Sequence, residues 1–177
     1  MLDLLLEPTK MFVKGGIDVF RRSKEHKNLL IVVQDRVRRE VRFNSALLQE
    51  FNKCDKNKNT FKHDEQLRVA LVKSLQTEAF DEVNKGVLPL ALFFETELLK
   101  DEIWPKSATN WPEKEKYLGW LKNVNTQYDL LERVYHRIKL TKTFAECGKI
   151  QGNINYVYFM LIGFEKSIAN TAVCKYT

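Results

Sequence analysis

From Leu30 to Phe51 the apolar residues Leu30, Val33, Val37, Val41, Leu48 and Phe51 recur three, four or seven positions apart, with Asn44 on the same line. That period belongs to an amphipathic α-helix and not to a strand, whose side chains alternate every second residue. A helix over 25–52 therefore follows. It is long enough to demand partners along its whole inner face.

The rest of the chain reads the same way. Seven glycines and four prolines in 177 residues leave little material for the many turns of a strand-rich fold. A first helix is expected over 2–22, with Pro8 in its opening turn and the pair Gly15–Gly16 weakening its middle, so that it could stand as a peripheral arm. The Asn- and Lys-rich run 52–60 reads as a loop. A third helix is expected over 61–84, capped by Thr60, ended near Gly86 and buried through Leu67, Leu71, Leu75 and Phe80. Pro89 suits the start of a short apolar helix over 89–100. Pro112, followed by Glu113 and Glu115, opens what reads as the longest element, 113–147, stopped by Gly148. Its apolar stripe is Trp120, Val124, Tyr128, Leu131, Tyr135 and Ile138. A last helix over 154–171 is apolar nearly all round between Tyr156 and Phe164, so it must be central in its bundle or covered by a partner. The expected fold is an all-α, single-domain bundle of five to six helices, mostly antiparallel, spanning 1–177.

Composition excludes several classes of function. Cys54, Cys147 and Cys174 are odd in number and far apart, with no CxxC pair. Neither a zinc knuckle nor a disulfide framework is expected, which fits a reducing, cytoplasmic setting. The N-terminus carries Asp3 and Glu7 and lacks the basic start of a signal peptide. The apolar runs GVLPLALFF and INYVYFMLIGF fall short of the ~20 residues that span a bilayer.

The net charge of +6 is concentrated. The stretch QDRVRREVRF places Arg36, Arg38, Arg39 and Arg42 within seven positions. On a helical projection Arg38, Arg42 and Arg39 fall opposite the apolar stripe that starts at Val33, and Arg36 lies on the flank. Such a face can meet phosphates, because the guanidinium fork matches their oxygens. It can equally be a solvated face balanced by Asp35 and Glu40, each within one turn of an arginine. An anionic membrane surface fits less well, because Asp3, Glu7 and Asp18 interrupt the N-terminal apolar segment.

Chemistry has one candidate. Asp129, Glu132 and His136 share a side of the 113–147 helix, where a carboxylate and an imidazole one turn apart can share a proton or hold a metal. The plainer expectation is a pair of surface contacts, Asp129 with Arg133 and Glu132 with His136. Trp104 and Trp111 each precede a proline and mark helix boundaries; they serve either as interface anchors or as plugs under a loop. The function expected is a non-catalytic helical interaction module, acting on a partner protein or on a second copy of itself. Nucleic-acid binding or processing through the arginine face is the alternative. No cofactor, metal or small-molecule substrate is expected.

Overall fold

The protein is described by a computed structural model, which defines residues 21–54, 61–86, 88–104, 112–150 and 154–173. Residues 2–20 of the expected first helix, residues 55–60 of the expected loop with its Thr60, and Trp111 lie outside the described residues.

The described chain is an all-helical bundle. Helix α1 (Lys24–Cys54) is its longest element, at 31 residues. The Ser23 hydroxyl accepts the His26 amide at 3.0 Å and so occupies one donor of its first turn. The expected stripe is inside: Val33, Val37, Val41, Leu48 and Phe51 are buried, and Asn44 is completely so. Helix α2 (Phe61–Lys73) packs on α1, and Arg68 lays its guanidinium over the Phe51 ring at 4.4 Å.

The 61–84 expectation needs correction. The chain turns a corner at Ser74–Thr77 before α3 (Glu78–Asn84), and Leu67 is exposed while Val72, Leu75 and Phe80 are buried. The corner is held from α1. Asn44 Oδ1 accepts the Gln76 amide at 2.7 Å, and its Nδ2 donates to the Gln76 carbonyl at 2.8 Å. One turn earlier on α1, Glu40 accepts the Ala79 amide at 2.7 Å and the Phe80 amide at 3.3 Å. Those amides open α3, and opening donors have no partner within their own helix. A carboxylate from α1 thus caps α3.

After α3 the expected 89–100 helix is reduced to a 3-10 turn (Leu90–Phe93), an extended stretch, and the four-residue α4 (Lys100–Ile103). The extended stretch is used by its neighbour. Thr96 and Phe94 carbonyls accept the Gln127 and Tyr128 amides at 2.9 and 3.0 Å, and Glu97 and Thr126 form an isolated bridge.

The 113–147 segment is two helices, α5 (Lys114–Trp120) and α6 (Gln127–Glu146), so α1 and not this segment is the longest. The break has a local cause. Thr126 and Asp129 form a reciprocal capping box, Thr126 accepting the Asp129 amide and Asp129 accepting the Thr126 amide. Helix α6 therefore starts afresh. It ends at Gly148, whose φ of 73° favours a residue without a Cβ.

Helix α7 (Ile154–Val173) packs on α1, α4 and α6 and is central. Ile154, Val157, Met160, Leu161, Phe164 and Ile168 are buried, which accounts for its lack of a polar face. Tyr117 of α5 is fully buried against it: a Cβ built on Gly163 would lie 2.2 Å from the Tyr117 hydroxyl. Among the described residues no helix is long and apolar enough to cross a membrane.

Candidate interaction surface

The four arginines share α1 but not one environment. Arg36 leans to its flank and pairs with Glu82 of α3. The nearer acid in sequence, Glu40, is turned away from it into the core. Arg39 pairs with Asp35 one turn back. Arg38 is half-buried, and its Nε has no hydrogen-bond partner among the described residues. Arg42 is exposed and meets no charged partner among the described residues.

Large apolar side chains accompany them. Ile31, Val32 and Phe43 are 67%, 52% and 42% exposed. On the helical projection Ile31 falls between Arg38 and Arg42, and Val32 and Phe43 fall just past Arg39, so all three share the arginine side of the helix. Ile31 and Val32 lie at one end of the arginine cluster and Phe43 at the other, across about 18 Å of helix. The outer face of α1 is thus a mixed apolar and cationic strip.

The side of α6 carries the other candidate. Asp129, Glu132 and His136 do line one shallow depression, of about 360 Å³, together with Asn123, Arg133 and Arg137. The carboxylates are engaged by the fold. Asp129 Oδ2 accepts the Asn125 and Thr126 amides, each at 2.9 Å. Partial burial works against its charge, but those amides, the Thr126 hydroxyl and the nearby Arg133 outweigh it and hold the carboxyl below its ordinary range. Glu132 accepts the Tyr128 hydroxyl at 2.8 Å, and Arg133 donates to the Trp120 carbonyl at 2.7 Å. The Asp129–Arg133 and Glu132–His136 ion pairs read from spacing are therefore replaced by contacts to the backbone and to Tyr128. His136 is exposed. Among the described residues no group of three His, Cys, Asp or Glu could hold a metal.

Trp104 is half-buried against the core and donates its indole N–H to the Pro112 carbonyl at 3.2 Å, tying the end of α4 to the approach to α5. A different tryptophan is the hub of the aromatic packing. Trp120 meets Tyr156 edge-on at 5.0 Å and Phe159 at 6.4 Å, with Lys116 over its ring.

No family model, curated protein or solved structure matches the chain. Any functional reading has to come from its own surface.

The main residue missed from the sequence is Glu40. It stands three residues after Val37 and four before Asn44, which puts it on the buried line, although its charge suggests the solvent face. Its partners are a tyrosine hydroxyl and two backbone amides. The Tyr135 hydroxyl donates to Glu40, and the Tyr135 ring stacks on Phe80 at 4.4 Å. Burial, together with the charge of Glu40 and that hydrogen bond, pushes the Tyr135 hydroxyl far above its ordinary pKa.

Proposed function

We propose that the protein is a non-catalytic helical interaction module and that the outer face of α1 is its recognition surface. The observation that carries this reading is the exposure of Ile31, Val32 and Phe43 on one face of one helix, interleaved with arginines. Interfaces are enriched in aromatic side chains and arginine at their centres, and these three apolar side chains stand beside arginines along one side of the helix. The α6 constellation supports the same choice by default, because the carboxylates of Asp129 and Glu132 already hold a helix cap and a tyrosine hydroxyl.

The partner is a second protein or a second copy of this chain. A photo-crosslinking residue placed at Val32 or Phe43 tests this, with Leu99, also exposed, as the control position. Adducts with a distinct protein, or with the chain itself, should form from positions 32 and 43 and not from 99. Sedimentation of the purified protein distinguishes the second copy from the foreign partner. Equal labelling from all three positions, or none, removes the reading.

Nucleic-acid binding remains the second reading, supported by Arg38 and Arg42, which have no acidic mate among the described residues. It requires affinity that falls steeply with salt and is lost in an Arg38→Glu/Arg42→Glu variant.

A further inference from the structure

The outer strip of α1 carries information about what it would accept. Along α1 the sequence has seven basic and four acidic residues. The fold withdraws one of those acids, Glu40, into the core, where it binds backbone amides and Tyr135. Only Glu25, Asp35 and Glu50 remain exposed on this helix. Asp35 is engaged by Arg39, and Arg36 by Glu82. Between Ile31 and Phe43 that leaves Arg38 and Arg42 with no acidic mate among the described residues.

We infer that this strip binds an acidic amphipathic helix of a partner protein, laid along α1 for about three turns; this rests on the interaction reading above. Two properties of the strip select that occupant. Ile31, Val32 and Phe43 are spread along a rod of about 18 Å, a length over which a facing helix presents apolar residues every third or fourth position. Arg38 and Arg42 call for carboxylates on its flanks, placed to make charge-assisted hydrogen bonds. A nucleic acid would satisfy the two arginines but leave the three apolar side chains against phosphate and water. An anionic bilayer surface would bury the apolar residues but has no side chains spaced along a rod to match the two arginines.

The test uses the whole chain and synthetic probes. One is a helical peptide of about 16 residues with leucine at every third or fourth position and glutamate on the flanks. Its control has lysine in place of glutamate. Binding is read by fluorescence anisotropy. The acidic peptide should bind roughly tenfold or more tighter than the basic one, and Arg38→Glu/Arg42→Glu should reverse that order. Val32→Ser/Phe43→Ser should weaken the acidic peptide by roughly tenfold. Circular dichroism confirms that these surface variants stay folded. No acidic-peptide binding, or equal binding of both peptides, overturns the inference. So does tighter binding to a DNA duplex, or to phosphatidylserine vesicles, than to the acidic peptide. Crosslinks from positions 32 and 43 combined with failure of the acidic peptide would leave the interaction reading standing and remove only the partner class.

Discussion

The two faces of α1 treat charge in opposite ways. On the inner face, Glu40 and Asn44 are buried, and they bind fixed groups: the amides of Ala79 and Phe80, both sides of Gln76, and the Tyr135 hydroxyl. On the outer face, Arg36 and Arg39 make ion pairs in solvent, and Arg42 makes none among the described residues. A polar group in a dry interior must be satisfied, and losing a partner there carries the full desolvation cost. The same group in water loses little when a partner goes. Charge on one face of this helix therefore shapes the fold, and on the other it contributes little to it.

The largest test of that contrast is Glu40→Ala. It strands two amides and a hydroxyl, and should cost about 3 kcal/mol, or roughly 10 °C in Tm, by thermal and urea denaturation. A loss no larger than that of a surface arginine would break the comparison. The same pair sets an alkaline limit. The folded pKa of Tyr135 lies above its unfolded value, so its contribution is complete below about pH 10 and fades as the pH rises beyond that. Tyr117, raised by burial, adds to the effect. Ultraviolet absorbance should show both tyrosinates forming only as the protein unfolds, and tyrosinate formation from either residue in protein that is still folded would count against it.

Gly163→Ala comes next, at about 2 kcal/mol, because the new methyl meets the buried Tyr117 hydroxyl despite the better helix propensity of alanine. Thr126→Ala removes half of the α6 capping box and should cost about 1 kcal/mol. The smallest effect belongs to Arg39→Ala, within about 0.5 kcal/mol, since its pair with Asp35 is exposed. Acid acts on the same scale. Asp129 and Asp81 both have lowered folded pKa values. For Asp81, burial opposes the charge, while Lys139 and Thr77 more than offset it. Their contribution is complete above about pH 4 and is lost as the pH falls through the lower folded values.

Much of the architecture could be read in advance, for physical reasons. The α1 stripe is long and regular, and burial enforces its period, so its bounds and inner face follow from spacing alone. Helix α7 has no polar side, which left a central place or a covering partner, and its burial shows the central place. The failures cluster where a local signal overrode periodicity. Thr126 and Asp129 stand three apart in the manner of a capping box, yet the apolar pattern runs straight through them and masked the restart. The Ser74–Thr77 corner had no local marker, because what holds it is Asn44, distant in sequence. Around Pro89 a continuous apolar run suggested a helix, where the chain instead goes extended to meet the first amides of α6. At the surface, spacing put Arg39 and Arg42 on the exposed side, but it did not foresee the half-burial of Arg38 and could not tell which acids the arginines would meet. Glu40 reads as their neighbour and is inside, whereas Glu82 comes from another helix.

The cap that Glu40 supplies to α3 has a consequence in time as well as in energy. The amide hydrogens of Ala79 and Phe80 are shielded by a side chain from a different helix, so local fraying of α3 cannot release them. They should swap with deuterium only when α1 and α3 separate, at a pace set by opening of the bundle as one unit. Two slow protons at the start of a seven-residue helix, where exchange is ordinarily fast, would be the visible trace of that carboxylate.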